Sequence, residues 1–460
     1  MRRTSVRLMA SPKSIHVCSE CAQSTPRWVG QCPGCEAWNT MVEEISAPAA
    51  RGGSKVRAGV KVPDVVALRD VKVQKIERLR TGIGELDRVL GGGIVPGSLV
   101  LLGGSPGIGK STLTGMVLGN LVTAGTGVLY VSGEESAAQV RMRHERVETA
   151  TCRALDVPAI AETDLDTVLA AIAQHRPEVC VIDSVQTLND SALTGAPGSV
   201  GQVREVASRL MRTAKDSGTA VILVGHVTKE GSIAGPRVLE HLVDCVLQFE
   251  GEQERTYRTL RAQKNRFGSA AETGVFEMRE TGLVEVLDPS ALFVGEATGK
   301  PGSVILASME GTRPLLVEVQ ALVSDSELVP PRRVCNGIDR NRLALVLAVL
   351  GRHAGISVGS SDVFVNVVGG VRVEEPGADL AVALAIASAA KGIALGNGEK
   401  PLCAFGEVGL TGELRAVGHS DRRQDEASKF GLAAVIGPQG TLKDAVRRAL
   451  HGAGRLAAAS

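Results

Sequence analysis

The chain has 460 residues, of which 44% are hydrophobic, 22% charged and only 2% aromatic. That length holds several domains with sizeable cores, and no run of 18 apolar residues occurs, which excludes a transmembrane helix and a membrane partner. The net charge of +1 conceals a basic start, because residues 1–80 hold 14 Lys and Arg against 7 Asp and Glu, a net +7. Such a region suits an anionic partner, although a solvated tail has the same composition.

The N-terminal residues 1–16 are basic and contain no acid. They lack the amphipathic stripe of a clear transit peptide and the apolar stretch of a signal peptide, so we interpret them as a leader without structure. Five of the nine cysteines are scattered, mostly in apolar segments: Cys152, Cys180, Cys245, Cys335 and Cys403. We expect these five to be reduced core residues of a cytosolic protein.

The other four cysteines form two C-x-x-C pairs, Cys18 with Cys21 and Cys32 with Cys35. This spacing places four thiolates around one tetrahedral Zn²⁺ and closes the shell against catalytic water, so the zinc is structural. A pair of redox dithiols is the alternative. The two tryptophans flank the second pair and could cover the site. We expect a leader and ribbon over residues 1–45, followed by a flexible linker rich in Ala, Gly, Ser and Pro over residues 46–62.

A glycine-rich loop follows a short buried strand, Ser98–Leu102, and precedes residues at helical spacing, the context of a phosphate-binding loop. Upstream, a helix carrying Leu86 is expected to end at Gly91. The glycines let backbone N–H groups turn toward a phosphate, Lys110 adds a positive charge, and the hydroxyl of Ser111 is available to Mg²⁺. The predicted nucleotide-binding residues are Gly104, Ser105, Pro106, Gly107, Ile108, Gly109, Lys110, Ser111 and Thr112.

Beyond this loop, apolar runs alternate with helical stretches, which predicts an α/β fold with a parallel sheet and ligands at the carboxyl ends of its strands. Asp183 ends one run, as an acid that holds the Mg²⁺ shell would. Glu134 ends the neighbouring run and is predicted to orient the attacking water, with Glu135 a close second choice. The alternative is that Glu134 caps the next helix. His226, at another strand end, could sense the γ-phosphate or be a plain loop residue.

Two segments rich in Gly, Ser and Pro, residues 195–201 and 229–237, are interpreted as mobile loops at the functional edge of the sheet. In a ring of subunits such loops could line a DNA channel; surface loops without a ligand are the alternative.

The lead-in at residues 81–97, the phosphate loop and Asp183 resemble the RecA/DnaB/KaiC ATPase superfamily. The pentapeptide Lys264, Asn265, Arg266, Phe267 and Gly268, with the ribbon before it and a Lon-like segment after it, resembles the bacterial RadA/Sms family over about residues 14–440. One departure is Ser105, where the family has Asp; that position contributes only backbone.

The resemblance implies a RecA-like ATPase domain at residues 63–287, driven by ATP and Mg²⁺. It also implies a homo-hexameric ring that binds single-stranded and branched DNA, drives branch migration and meets a recombinase filament in the bacterial cytoplasm, at the nucleoid. Lys264 and Arg266 are fixed-charge donors that we place just after a strand at residues 256–262. They could reach a phosphate or a neighbouring subunit's nucleotide, or be a solvated basic turn.

Residues 288–460 resemble a Lon-protease domain of α+β type. That family uses a serine nucleophile and a lysine base. Here Asp379, in the expected serine-bearing loop at residues 375–380, takes the serine's place, and the lysine falls at or near Asp421. We therefore expect a scaffold without protease chemistry that holds the ring and offers a second DNA surface. Candidate residues for that surface, or else scattered solvated charges, are Arg313, Arg332, Arg333, Arg340 and Arg342.

Two other functions remain as alternatives. A Lon-type ATP-dependent peptidase would need a Ser–Lys pair within residues 375–425. A KaiC-like signalling ATPase belongs to a family that duplicates its ATPase domain and has no zinc ribbon, whereas this chain holds one phosphate loop.

Overall fold

In a computed structural model of the chain, the structure describes residues 14–18, 23–34, 36–38, 40–45, 77–193, 195–226, 238–251, 257–295, 297–396, 400–432 and 435–457. Cys21, Cys35, the predicted linker and the loop at residues 229–237 lie outside these ranges. The chain divides into two compact units. The first comprises Met1–Phe249, Ala262–Ser269 and Glu280–Leu283; the second comprises Glu250–Arg261, Ala270–Arg279 and Val284–Ser460.

The ribbon is a small antiparallel sheet. Strand β1 (Ser14–Cys18) lies between β2 (Ser24–Thr25) and β3 (Met41–Ile45). Cys18 and Cys32 are fully buried and pack with Met41 in a small cluster of their own. Among the described residues of the ribbon this buried cluster is small, and a sheet with so small a core is usually stabilised by a metal.

The first unit alternates strands and helices, as predicted. Its elements in chain order are α1 (Gly84–Leu90), β4 (Leu99–Gly104), α2 (Lys110–Thr123), β5 (Val128–Ser132), α3 (Ala137–His144), β6 (Ala159–Ala161), α4 (Leu165–His175), β7 (Val179–Asp183), α5 (Val200–Ser217), β8 (Ala220–His226), α6 (Val238–Leu242) and β9 (Cys245–Glu250). The prediction that α1 ends at Gly91 is confirmed, because Gly91 takes a left-handed conformation there.

Six strands of this unit pair in parallel in the order β9-β4-β8-β7-β5-β6. Strands β4, β5 and β7 are buried along their whole length, as expected for a parallel sheet with helices on its faces. Helices α4 and α5 pack their apolar side chains against this sheet in one core. All carboxyl ends of the strands therefore meet at one edge.

The remaining elements, in chain order, are β10 (Tyr257–Asn265), β11 (Thr273–Arg279), β12 (Gly282–Glu285), α7 (Pro289–Gly295), β13 (Ser303–Glu310), β14 (Arg313–Asp325), β15 (Arg333–Asn336), α8 (Arg340–Val349), β16 (Ser361–Val367), α9 (Asp379–Lys391), β17 (Cys403–Ala404), β18 (Glu407–Val408), β19 (Leu414–Arg415), α10 (Ser420–Lys429), β20 (Val435–Ile436) and α11 (Leu442–Ala457). The predicted strand at residues 256–262 thus continues to Asn265.

The second unit is built on a mixed sheet in the order β15-β16-β14-β13-β17-β20. Helix α9 is buried from Asp379 through Ser388 and lies in the centre of this unit's core. Strands β18 and β19 pair in an antiparallel hairpin. Across the described residues, no helix is both long enough and apolar enough to cross a membrane.

Candidate nucleotide-binding and zinc sites

The predicted phosphate loop joins β4 to α2. Gly107 has a φ of 74° and Gly109 a φ of 115°, conformations that a residue with a Cβ rarely adopts. Between them Ile108 is fully buried and its N–H donates to the carbonyl of Ser105 at 3.3 Å, which closes a tight turn. Helix α2 begins at Lys110, so its N-terminal N–H groups and positive dipole end face the loop.

Lys110 occupies the inside of this loop. Its Nζ donates to the carbonyl oxygens of Gly104 at 2.8 Å and Ser105 at 3.0 Å. Burial lowers the pKa of the Lys110 ammonium, while the carboxylates of Asp183 and Glu134 oppose that shift. Both predicted acids therefore lie close enough to act electrostatically on the lysine.

The strand register explains why these acids meet the loop. Gly104 pairs with His226 on β8, and Val224 of β8 pairs with Asp183 on β7. The end of β4 and the end of β7 are thus separated by a single strand. Ser111, in the first turn of α2, and Asp183 supply the hydroxyl and carboxylate oxygens that Mg²⁺ prefers, so this donor set fits the ion.

Two residues that the sequence analysis did not single out contact Asp183. The hydroxyl of Tyr130 donates to Asp183 Oδ2 at 2.7 Å, and Arg143 Nη1 lies 3.6 Å from the same oxygen. Burial, followed by the charge of Asp183, raises the pKa of Tyr130 above its usual value, so the phenol stays a donor. Tyr130 lies inside a strand and Arg143 in the last turn of a helix, and only tertiary packing brings them together.

Glu134 and Glu135 differ in their partners. Glu134 Oε1 accepts a hydrogen bond of 2.5 Å from the hydroxyl of Ser184, the residue after Asp183. Glu135 forms an ion pair with Arg143. Helix α3 is instead capped by Ser136, which forms a capping box with Gln139. The alternative that Glu134 caps this helix is therefore wrong.

The pentapeptide at residues 264–268 lies at the opposite edge of the parallel sheet, where β4 and β9 begin. Lys264 Nζ donates to the carbonyls of Glu240 at 2.6 Å and Val243 at 2.8 Å, just before β9. Arg266 pairs with Asp244 at 3.0 Å, and Asp244 also accepts the N–H of Leu99 at the start of β4. Lys264 is the next-to-last residue of β10, so the prediction that it follows a strand is wrong. The strand continues past Ala262, where the apolar pattern predicted its end.

The other pentapeptide residues anchor it to α1. Asn265 donates to the carbonyl of Val89 at 3.2 Å and accepts the N–H of Phe267 at 2.9 Å. A Cβ on Gly268 would lie 3.2 Å from the Cα of Gly91, so the close approach favours glycine. The side chain of Arg266 remains 51% exposed. Strand β4 runs from Leu99 at this edge to Gly104 at the phosphate loop, which spans roughly 16 Å at the usual rise per residue of a strand.

In the ribbon, each of the two described cysteines has a polar contact at its sulfur, and Cys18 Sγ donates to the hydroxyl oxygen of Thr40 at 3.2 Å. The N–H of Gly34 donates to Cys32 Sγ at 3.3 Å, a bond that stabilises a thiolate. Cys18 and Cys32 are both fully buried in the same cluster. These features fit Zn²⁺, which the two cysteines would hold together with Cys21 and Cys35. Trp28 and Trp38 are largely exposed rather than packed as a cover.

The ribbon gives a direct prediction. Cys32→Ser should remove the metal, since one thiolate of four is lost, and should unfold residues 14–40 while the parallel sheet of the first unit stays folded. Elemental analysis should find about one Zn²⁺ per wild-type chain. Cys180→Ser, a change at a buried cysteine of β7, is the control that keeps the metal. Stoichiometric zinc in Cys32→Ser protein would contradict the four-sulfur site.

In the second unit, Asp379 is the first residue of α9 rather than part of a loop. Its carboxylate accepts two hydrogen bonds from Arg342, at 2.7 and 2.6 Å, and a third from the N–H of Val408 at 3.0 Å. Burial raises the pKa of Asp379, and Arg342 opposes that shift. Asp421 is exposed on α10. The position where the sequence resemblance leads us to expect a serine nucleophile therefore holds a buried carboxylate paired with Arg342.

The arginines proposed as a second DNA surface differ in their surroundings. Arg342 is used by Asp379, Arg313 donates to the carbonyl of Leu287 at 2.6 Å, and Arg333 donates to the carbonyl of Val358 at 2.9 Å. Arg332 and Arg340 are exposed. Arg332 also lies 4.0 Å from Asp362, so four of the five have structural partners, and the two exposed ones are Arg332 and Arg340.

The chain is similar to known proteins over almost its whole length. A family model described as "Rubredoxin metal binding domain" matches residues 16–43, and one described as a family of unknown function (DUF7125) matches residues 78–285. The chain is 48% identical over 440 residues to the DNA repair protein RadA of Bacillus subtilis and 50% identical over 433 residues to that of Pseudomonas aeruginosa, with 94% of each chain covered in both cases.

Two solved structures show lower similarity. A KaiC-like protein from Pyrococcus horikoshii has a TM-score of 0.38 at 20% identity and covers 46% of this chain and 99% of its own. The RadB recombinase has a TM-score of 0.36 at 23% identity and covers 45% of this chain and 99% of its own.

Proposed function

Because the chain belongs to the RadA family of bacterial DNA repair proteins, we propose that it is an ATPase that binds single-stranded and branched DNA and drives branch migration in recombinational repair. The observation that carries the ATPase part is that Lys110 in the loop after β4, Asp183 at the end of β7 and Glu134, hydrogen-bonded to Ser184, all lie at the carboxyl edge of the parallel sheet. A cation inside a glycine loop, facing two acids, fits a nucleoside triphosphate with its metal ion.

Each residue has a separate task in this proposal. The loop N–H groups and Lys110 bind the phosphates, and Lys110 exchanges its carbonyl partners for phosphate oxygens. Ser111 and Asp183 hold Mg²⁺, which neutralises charge on the phosphates when bound. Tyr130 and Arg143 fix the orientation of Asp183. Glu134, hydrogen-bonded to Ser184, orients the attacking water.

The assignment of Glu134 over Glu135 is testable by matched substitutions. Glu134→Gln should lower the rate of ATP hydrolysis by about 100-fold or more while ATP still binds, because a water-orienting acceptor contributes roughly this much. Glu135→Gln should have a smaller effect, since it loses only the ion pair with Arg143. Single-turnover hydrolysis and binding of a fluorescent ATP analogue measure the two effects. If Glu134→Gln hydrolyses normally and Glu135→Gln does not, the roles are exchanged.

We propose that Lys264 and Arg266 act on the nucleotide of a neighbouring subunit or on DNA. The opposite edge of the sheet, roughly 16 Å from the phosphate loop, is too far for an arginine finger in the same chain. A neighbouring subunit in a ring brings such an edge to the next nucleotide. Arg266 suits this task because half of its guanidinium-bearing side chain is exposed.

Arg266→Ala should therefore keep ATP binding and lose DNA-stimulated hydrolysis and branch migration. Lys264→Ala should do the same and should also loosen the segment before β9, because two carbonyls lose their donor. Arg212→Ala, an exposed arginine of α5, is the matched control. A four-way-junction assay with wild-type activity in Arg266→Ala would show that this arginine is only a surface charge.

The proposed assembly is a homo-hexameric ring in the bacterial cytoplasm that works with a recombinase filament, with residues 288–460 as a Lon-like scaffold. The scaffold role is supported by the chemistry of Asp379, which carries no hydroxyl and is bound by Arg342. A Ser–Lys peptidase is therefore not favoured. Light scattering should give six subunits for the full chain and fewer after removal of residues 290–460. An unchanged mass after truncation, or cleavage of a peptide by the pure protein, would contradict the scaffold.

A further inference from the structure

The turn that follows β7 contacts the segment that carries Glu134. Ser184 is fully buried, and its hydroxyl donates to Glu134 Oε1 at 2.5 Å. Thr187, three residues further on, donates its hydroxyl to the carbonyl oxygen of Ser184 at 2.7 Å, which closes the turn. We call residues 184–187 the hydroxyl turn. Its first hydroxyl holds the carboxylate of Glu134, and its second holds the backbone from which the first extends.

The backbone that leads into Glu134 is fixed by the same part of the chain. The N–H of Gly133 donates to the carbonyl oxygen of Asp183 at 2.8 Å. The hydroxyl of Thr187 occupies the place that a Cβ on Gly133 would take, so this close approach requires glycine. Glu134 is therefore held both through its carboxylate and through the residue before it. A group that must orient water depends on such a fixed position, since a displacement of about 1 Å can lower a rate by about a hundredfold.

A second segment, residues 195–199, lies against the hydroxyl turn. Gly198 has a φ of 79°, and a Cβ built on it would lie 3.4 Å from the carbonyl oxygen of Gln186, in the middle of the turn. The start of the segment is anchored to α5, because the buried Gln202 amide donates to the carbonyl oxygen of Gly195 at 3.0 Å. A movement of this segment at Gly198 therefore acts directly on the turn that holds Glu134.

This segment is exposed, and one of its polar groups is unsatisfied. Residues 196–198 are exposed to solvent. Ser199 makes no side-chain cap to α5, and among the described residues its buried hydroxyl has no hydrogen-bond partner. By contrast, Ser136 caps α3 and Asp164 caps α4 through their side chains. Because a buried hydroxyl without a partner is unfavourable, a second arrangement in which Ser199 caps α5 is accessible to residues 195–199.

We propose that the hydroxyl turn positions Glu134 for hydrolysis and that segment 195–199 controls this turn, so that single-stranded DNA bound at the segment raises the rate of ATP hydrolysis. Ser184 and Thr187 are then positioning residues that act through Glu134. This inference rests on the proposed function, in which the segment belongs to a loop facing DNA, and it adds the route from the DNA to the attacking water. The route is short, because Gly198 and Glu134 contact the same four-residue turn.

A double-variant cycle tests the role of Ser184. Ser184→Ala should lower the single-turnover rate of ATP hydrolysis by about ten- to a hundredfold, the usual contribution of a hydrogen bond to a charged group, while a fluorescent ATP analogue still binds. In Glu134→Ala protein the same change should cost less than about twofold, because a residue that acts only through Glu134 has nothing left to position. Effects that multiply, or a normal rate in Ser184→Ala protein, would overturn the positioning role.

Thr187 offers a matched pair of substitutions. Thr187→Val keeps the volume of the side chain but removes the hydroxyl, so it should lower the rate by about fivefold, whereas Thr187→Ser keeps the hydroxyl and most of the rate. Equal urea midpoints of the two variants show that both are folded. Ser217→Ala, which removes an exposed hydroxyl at the far end of α5, is the control. Equal rates of Thr187→Val and Thr187→Ser would show that this hydroxyl has no role.

Gly198→Ala tests the control by segment 195–199, because a Cβ is strained at this φ and displaces the segment. The increase in rate on addition of saturating oligothymidylate should be largely lost, while anisotropy shows a labelled oligonucleotide to be bound. A wild-type increase in this variant would overturn the control, and the proposed function would stand.

The wild-type protein separates the two levels of the account. Hydrolysis that does not respond to bound DNA contradicts the DNA part of the proposed function and the control by segment 195–199, and the Ser184→Ala cycle then decides the positioning role alone. No hydrolysis by the wild type contradicts the proposed function and this inference together.

Discussion

Lys110→Ala is expected to lower the rate of ATP hydrolysis by at least about 100-fold, the usual cost of removing one charge-stabilising donor from a preorganised site. The reason is geometric. Lys110 is buried, and its ammonium is already directed into the loop by the carbonyls of Gly104 and Ser105. No other residue of the loop carries a positive charge. Loss of this cation leaves the phosphates facing two acids without compensation.

The measurement is steady-state phosphate release at saturating ATP, with binding of a fluorescent ATP analogue beside it. Lys215→Ala is the matched control, because Lys215 is an exposed lysine in the last turn of α5. That variant should hydrolyse ATP at the wild-type rate. Normal hydrolysis by Lys110→Ala would mean that the loop at residues 104–112 is not the catalytic phosphate site.

Arg423→Ala is expected to lower the free energy of unfolding of the second unit by about 3–5 kcal/mol, the usual effect of breaking a buried ion pair. The Arg423 residue is only 1% exposed. Its guanidinium donates to Glu375 at 2.7 and 2.5 Å and to the carbonyl of Ala307 at 2.6 Å, and it lies over the ring of Phe405. The substitution leaves the Glu375 carboxylate without its cation and also opens a cavity.

Urea unfolding followed by circular dichroism measures this loss. Arg447→Ala removes an exposed pair with Asp444 on α11 and should change the stability by no more than about 1 kcal/mol. A double variant, Glu375→Gln with Arg423→Met, should recover part of the loss, because a neutral pair no longer leaves a buried charge unpaired. Equal stability of Arg423→Ala and Arg447→Ala would show that the pair contributes little.

The parts of the site that follow from local sequence were predictable. The strand, the glycine loop and the helix at Lys110 are neighbours in the chain, so their residue types report their structure directly. Asp183 was also predictable, because a carboxylate after a buried run must emerge at the carboxyl edge of the sheet. The end of α1 at Gly91 followed from the same local logic.

Features that depend on packing between distant segments could not be predicted in this way. Tyr130 and Arg143 reach Asp183 from a neighbouring strand and a helix, and nothing in their local sequence indicates that contact. Asp379 was expected in a loop, but it begins α9, where Arg342 from α8 replaces the partners that a loop residue would find in water. The placement of Lys264 and Arg266 at the opposite edge of the sheet likewise depends on how far β10 extends.

The proposal that this chain is a DNA-dependent ATPase is tested best by its rate of ATP hydrolysis with and without single-stranded DNA. We expect a rate that rises clearly when single-stranded DNA is added, that declines again as salt weakens the phosphate contacts, and that stays at background in Lys110→Ala. A wild-type rate that is the same with and without DNA, under conditions where anisotropy shows the DNA to be bound, would contradict it.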